Sequence, residues 1–557
     1  MKKLSIIAAI VLSLVLVAES CKKTIAVTDV TLNQTSSTIT VGDTLRLIPT
    51  IEPLDATNKN VTWLSSEPAI ATVNNGLITA LDEGETTITV TTVCGKKTAT
   101  CVITVEPQPI PVESISLNIT EHTLYVFDTV VLIASILPIN ASNQDITWES
   151  SNPKLATVTD GVVVAIAEGT VSIFAVTNEG AHKVVCELTI ELPPMRGGGP
   201  YILYADNGSV TIHTFDRRLN LFTRYYPNRE AIEPITVYSH EGDYVFTFEL
   251  QKNPTKIPLA RYKNLPEKML VLSDPHADIV PFVRTLQGNG VIDDNLNWTF
   301  GNGHLKILGD VQDRGDDQTT IFWLLYKLQA EAQAAGGDVH HLLGNHEAIV
   351  AQYDERYLNP KYIQKARNLA KYYGVFFAYT QLWHNNSELG SWVNSRNTVQ
   401  IMGNMLFVHA GISPQVSALP LTIENINDTV RKYIVLPNST SSGSPHANTI
   451  MGSSGVLWYR AIAENTIQES VLDQILARWS NDEEGIIKHM ILGHTRVNQI
   501  TSFYNGKSIV LDVSNVRRTN ITNGRSLGLW VTPETHFPVN VNGERREFIH
   551  VAPPIAQ

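Results

Sequence analysis

The chain has 557 residues, 43% of them hydrophobic and 17% charged, and a formal net charge of −12. A chain of this length exceeds what one hydrophobic core organises, which predicts several domains. The composition excludes an extensively disordered protein, and the acidic balance excludes a general electrostatic affinity for nucleic acid.

At the start, Lys2 and Lys3 precede an apolar run from Leu4 to Ala18 that is too short and wrongly flanked for a membrane span. Ser20 then stands directly before Cys21. The pattern resembles a lipoprotein signal peptide over residues 1–20 with Cys21 as the lipidated residue, and Glu19 departs from the small residue usual at its position. It implies an exported protein of the cell envelope, lipid-anchored to a membrane and facing the periplasm or the exterior. The other cysteines, Cys94, Cys101 and Cys186, allow at most one disulfide in a monomer. Cys94 and Cys101 flank a hairpin expected at Gly95-Lys96-Lys97 and are the candidate pair, while Cys101 and Cys186 lie in alternating patterns that suit a buried thiol.

Residues 27–106 and 113–192 are an internal duplication. Trp63 and Trp148, Leu32 and Leu117, Gly84 and Gly169, and Cys101 and Cys186 share one constant offset, and TWLSSEPAIATV realigns with TWESSNPKLATV without gaps. Short Val/Ile/Thr-rich runs with period-two alternation, broken by turn residues, predict two small antiparallel β-sandwiches. These units resemble bacterial immunoglobulin-like (group 2) domains and read as a spacer. Phe127 stands where the first unit has Gly42, so that turn is expected to differ. An extended linker, PQPIP, separates the units, and PPMRGGGP closes the pair. Residues 193–265 then read as a β-rich linker or flank, with YILYA, SVTIHTF and DYVFTFEL as candidate strands.

From residue 266 to about 540 the pattern changes. The runs KMLVLSDPH, LKILGDVQDRG, HHLLGNHE, NMLFVHAG and MILGHT are short apolar strands that end in Asp, Asn or His. Helical stretches lie between them, the clearest being TTIFWLLYKLQAEAQAA before Gly336-Gly337. The intervals from Ala277 to Leu308 and from Asp316 to Leu343 each accommodate the helix and strand of a βαβ unit. Strands alternating with helices predict a layered α/β fold, with a site at the strand ends. Asp274, His276, Asp310, Asn345, His409 and His494 supply the ligand types of a two-metal site, in which ions about 3.5–4 Å apart clamp a phosphoryl group. Mixed His, Asp and Asn donors suit manganese, iron or zinc better than calcium.

The ordered set D-x-H, G-D-x-x-D-R-G, G-N-H-E, H-A-G and G-H resembles the calcineurin-like metallophosphoesterases. Asp313-Arg314-Gly315 points to their phosphoprotein phosphatase branch, and GVLWYR with GSWVNSRNTV to its Shewanella-like group. The resemblance implies a layered β-sandwich flanked by helices and two divalent metal ions. Asp274, His276 and Asp310 would hold the first ion; Asp310, Asn345, His409 and His494 would hold the second. A metal-bound hydroxide would attack a phosphomonoester, His346 would protonate the leaving oxygen and Asp313 would orient His346. Arg314 and Arg460 would hold the phosphate. The implied enzyme is a metal-dependent phosphatase acting on phosphoprotein (Ser/Thr or Tyr) or a small phosphoester. A dinucleotide polyphosphate hydrolase or phosphodiesterase is the alternative enzyme, and surface adhesion through the immunoglobulin-like units the alternative without catalysis. The family usually has Gly after the first His, but here Ala277 follows His276, so an altered turn or a turn that needs no positive φ is expected. Asp278 adds charge nearby, and residues 351–400 and 412–454 are expected to form the roof and rim. His304, His340, His341, His384 and His489 match no family position and read as supporting or surface residues.

Overall fold

The computed structural model describes residues 24–376, 379–435, 446–480, 485–513 and 526–554. The signal peptide and Cys21 lie outside the described residues. The chain divides into two compact units, one ending at Leu192 and one beginning at Pro193.

The first unit is all β. Its first repeat has a four-stranded sheet in the order Ser36–Thr40, Thr98–Glu106, Gly84–Thr92, Val61–Ser65, facing a three-stranded sheet of Thr44–Arg46, Leu77–Ala80 and Ala71–Asn74. The second repeat reproduces this arrangement. Alternation sets the faces: Thr86, Ile88, Val90 and Thr92 of one long strand are buried, as are Val171, Ile173, Ala175 and Thr177 of its counterpart.

Two expectations fail here. The turn at Phe127 does not differ from that at Gly42: φ is +71° and +93°, and corresponding amides donate to Ala165 and Ala80. The backbone pairing imposes the left-handed conformation on a bulky residue, at a cost of about 1–2 kcal/mol. Cys94 and Cys101 are not bonded to each other. Cys101 points into the core opposite Ile88, whereas Cys94 lies in the turn beyond the last paired residues. Cys101 and Cys186 are both fully buried, as the alternation suggested.

In the second unit two sheets face each other. The five-stranded sheet runs Asp338–His341, His304–Ile307, Met269–Leu272, Ser526–Val531, His536–Asn540, with the first three strands parallel. The seven-stranded sheet contains Val399–Met402, Met405–Val408, His489–Leu492 and Ser508–Val510 as consecutive neighbours. It ends on Ile549–Val551, past the residue 540 at which the sequence reading closed the domain. Met269 and Val271 face Phe407, Ile491 and Ile509 between the sheets, while Leu270 and Leu272 point to the outer helices. Helix Gln318–Ala334 is buried nearly all round. It stops where Gly336 takes φ +85° and the Gly337 amide returns to the Ala332 carbonyl.

Residues 193–265 are part of this unit. Strands Gly198–Tyr204, Val210–Phe215 and Leu221–Tyr226 form one sheet, and Ile235–Tyr238 pairs with Val245–Phe248. Tyr201, Phe215, Phe246 and Phe248 share a core with Trp323 and Tyr326 of the long helix. Among the described residues no helix is long and apolar enough to cross a membrane.

Candidate metal centre

The three parallel strands of the five-stranded sheet align Leu272 with Ile307 and Ile307 with His341, so the loops that follow them emerge side by side. The parallel strands Met405–Val408 and His489–Leu492 of the facing sheet deliver His409 and His494 to the same end. The loops are held in left-handed conformations: φ is +49° at Asp274, +43° at His276, +54° at Asp310, +72° at Asp313, +68° at Arg314 and +63° at His494. Each costs about 1–3 kcal/mol, so the surroundings must over-determine it. Ala277 also takes positive φ, +60°, and is buried. The turn therefore does take positive φ, with alanine in it. Asp278 is the N-cap residue of helix Ile279–Gly288.

All six expected ligands are buried at one place. Asp310 is central. One oxygen lies 3.8 Å from His276 Nε2 and 3.8 Å from His346 Nε2; the other lies 3.3 Å from His409 Nε2. Two groups of potential ligand atoms result, His276–Asp310–His346 and Asp310–His409–His494, with atoms within 4.8 Å of one another in each. Asn345 adds its amide oxygen 2.9 Å from His409 Nε2. Asp274 accepts the His494 amide on both oxygens at 3.1 Å and is hydrogen-bonded to the Ser273 hydroxyl. His346 thus comes within that 4.8 Å range of His276 and Asp310, while Asp274 meets the centre through the His494 amide.

The donor set fits divalent metal. His409 Nδ1 donates to the Leu308 carbonyl at 2.7 Å, and His276 Nδ1 to that of Gln312 at 3.1 Å, so each ring, when its Nε2 is unprotonated, turns that lone pair towards Asp310. At His409 three acceptors then converge: its own Nε2, Asn345 Oδ1 and Asp310 Oδ1. Either a proton on Nε2 or a bound cation satisfies them together. Burial opposes charge on His409, yet Asp310 and Asp274 outweigh it and raise the imidazole to about 10. Burial likewise opposes ionisation of Asp310, but His409 and His346 hold its carboxyl well below the usual range. Buried His494 Nε2 has no hydrogen-bond partner. The glycines before the ligands are explained by the same crowding. A Cβ on Gly344 would lie 2.2 Å from Asp310 Oδ1, and one on Gly493 2.4 Å from Asp274 Oδ2.

Beside this centre, His346 Nδ1 donates to Asp313 Oδ2 at 2.6 Å, leaving Nε2 between Asp310 and Arg314. Arg314 Nη2 is 3.3 Å from that Nε2. Arg460 is exposed and donates to the His494 carbonyl at 2.8 Å. Of the histidines without a family match, His340 and His341 are buried in the core, not on the surface. His304 stacks on His340 and His341 on Trp392.

Three supporting residues escaped the sequence reading. Glu347 accepts the amides of Gly344 and Asp310 on one oxygen and of Val311 and Gln312 on the other, at 2.7–3.1 Å. Its signal was available, since a Glu at the third position of a helix that starts after Gly344 marks a capping arrangement. Gln318 accepts the Asp313 amide at 2.9 Å and donates to Tyr379 at 2.7 Å, and the Tyr379 hydroxyl is 3.1 Å from that of Tyr201. Asp317 accepts the amides of His240 and Glu241 at 2.6 and 3.0 Å. No local pattern foretells contacts to segments so distant in the chain.

Residues 267–511 match the calcineurin-like phosphoesterase family, and residues 26–103 and 111–188 match the bacterial Ig-like domain (group 2) family. The fold and site therefore define a metallophosphoesterase: the chain is a metal-dependent phosphatase with two bacterial Ig-like domains ahead of its catalytic unit. Within that class it is similar to Shewanella-like protein phosphatase 2 of Arabidopsis thaliana, 25% identical over 322 residues, covering 51% of this chain and 79% of that protein. Shewanella-like protein phosphatase 1 of Plasmodium berghei is 29% identical over 272 residues, 45% of this chain and 68% of that one. Among solved structures, the cold-active protein-tyrosine phosphatase of a psychrophilic Shewanella species superposes with a TM-score of 0.54 at 27% identity, covering 63% of this chain and 98% of that one.

Proposed function

We propose that this phosphatase hydrolyses phosphomonoesters on phosphoproteins or small phosphorylated molecules. Asp274, His276 and Asp310 would hold one divalent ion, and Asp310, Asn345, His409 and His494 would hold a second. Manganese, iron or zinc suits these donors. When bound, such a pair supplies Lewis acidity towards phosphoryl oxygens and a nucleophile from water at neutral pH. His346 donates a proton from Nε2 to the leaving oxygen, with Asp313 fixing its tautomer and supporting its charge. Arg314 and Arg460 take phosphate oxygens on their guanidinium forks. The observation that supports this most directly is the 2.6 Å His346–Asp313 hydrogen bond set beside Asp310, which belongs to both ligand groups. The names of the relatives, protein phosphatases and a protein-tyrosine phosphatase, favour a phosphoprotein. Attachment through Cys21, with the Ig-like domains as a spacer from the membrane, completes the reading.

The test uses the full chain with added manganese. Asp310→Asn on p-nitrophenyl phosphate and His346→Asn on a phosphoserine peptide, whose alkoxide needs a proton, should each lose roughly 100-fold or more in kcat. Full activity in both variants refutes the assignment. Turnover confined to bis-p-nitrophenyl phosphate or diadenosine tetraphosphate would transfer it to diester or polyphosphate substrates.

A further inference from the structure

The loop between helices Asn345–Ala351 and Pro360–Tyr373 returns to the active site. Its Tyr357 lies against the His346 ring with centroids 5.2 Å apart and planes tilted by 58°. The Tyr357 carbonyl accepts the Arg314 amide at 3.1 Å, tying the loop to the residue placed on the phosphate. Even so, Tyr357 is 46% exposed, whereas His346 is 3% exposed. Behind it, Asp354 fixes Arg356 at 2.6 Å, and the guanidinium stands 5.6 Å from the Tyr357 ring. The neighbouring Tyr353 is also exposed and meets His384 edge-on.

The position of this ring has a chemical consequence, which rests on the phosphomonoesterase reading above. If His346 protonates the leaving oxygen, the leaving group must sit next to His346. Tyr357 is an aromatic surface beside that acid, pinned at its backbone and open to solvent at its ring. We propose that Tyr357 is a specificity-determining residue that forms the wall of the leaving-group subsite and biases the enzyme towards aryl phosphomonoesters, phosphotyrosyl side chains in particular. An aryl leaving group meets the ring in an offset or edge-on contact, and such pairs correspond to roughly 3- to 10-fold beyond the area they bury. The side chain of phosphoserine has no ring to make this contact, so it gains little. The preference is expressed in binding, because Tyr357 has no part in the proton transfer.

The experiment compares one peptide carrying phosphotyrosine or phosphoserine at the same position, with the full chain in manganese. In Tyr357→Ala, the ratio of kcat/KM for phosphotyrosine over phosphoserine should fall roughly 10-fold, chiefly through KM for the phosphotyrosine peptide. Tyr357→Phe, which keeps the ring, should restore the ratio. Equal loss on both peptides, or a Phe variant as impaired in the ratio as the Ala variant, overturns the inference and leaves the phosphatase reading standing. A wild-type chain that turns over neither peptide nor p-nitrophenyl phosphate refutes both together.

Discussion

Asp317 offers a way to ask whether residues 193–265 serve catalysis or only stability. It follows the loop that carries Asp310, Asp313 and Arg314, and it is 2% exposed. Its carboxylate accepts the His240 and Glu241 amides at 2.6 and 3.0 Å and the Thr320 hydroxyl at 3.0 Å, while its own amide donates to the Ala277 carbonyl at 3.0 Å. One residue thus joins the flank, the long helix and both loops of the first ligand group. Asp317→Ala strands two amide donors, each worth about 1–3 kcal/mol when buried without a partner. Because these amides are only part-buried, the lower end applies, about 2–3 kcal/mol in all. The catalytic cost is separate. Asp310, Asp313 and Arg314 sit in conformations that only their surroundings maintain, and a shift of about 1 Å in such a group costs up to roughly 100-fold in rate. Urea unfolding should therefore show the 2–3 kcal/mol loss, and kcat with saturating manganese should fall by roughly 10- to 100-fold. Asp317→Asn, which keeps one acceptor oxygen, should lie between. A variant that loses the stability but keeps wild-type kcat would refute a positioning role for the flank.

Three further outcomes are expected. Glu347→Gln sets an amide donor against backbone amides that now share a carboxylate, so manganese affinity by titration calorimetry should weaken by about 10- to 100-fold. Gly344→Ala drives a methyl group to 2.2 Å from Asp310 Oδ1 and displaces the shared ligand, so manganese binding and turnover should both be lost even if the protein folds. His213 is fully buried between Thr223 and Tyr373, and burial lowers its imidazole from 6.5 to about 4. The unfolded chain then binds the proton more readily between pH 6.5 and 4, so this contribution is complete above pH 6.5 and is lost as pH falls towards 4. At pH 5 the loss amounts to about 2 kcal/mol relative to pH 7.5. Unfolding free energies of wild type and His213→Gln at the two pH values should differ in pH dependence by that amount, and parallel behaviour would show that His213 is not held neutral.

The class of this protein was legible in its sequence because each candidate ligand stands at the end of a short apolar strand, where residue type and position are read together. Asp310, Asn345, His409 and His494 follow directly on such runs, and Gly344 and Gly493 precede Asn345 and His494 because a Cβ there would collide with Asp310 or Asp274. The repeats were legible for a similar reason: period-two alternation is a local property, and every second residue of Gly84–Thr92 and Gly169–Thr177 from Thr86 and Val171 onward is buried. The readings that failed concern backbone and pairing. Phe127 and Ala277 both take positive φ that their residue types disfavour, because hydrogen bonds from distant strands and loops hold the backbone there. Cys94 and Cys101 are near in sequence but point to different places, since the strand register aims Cys101 inward. Tertiary structure alone decided that His346 comes within reach of His276 and Asp310, that residues 193–265 hold Asp317, and that Tyr357 lies beside His346. Residue type and spacing determine which groups end a strand, whereas sheet register and packing determine which of those groups come within about 3 Å of one another, the range in which hydrogen bonds form.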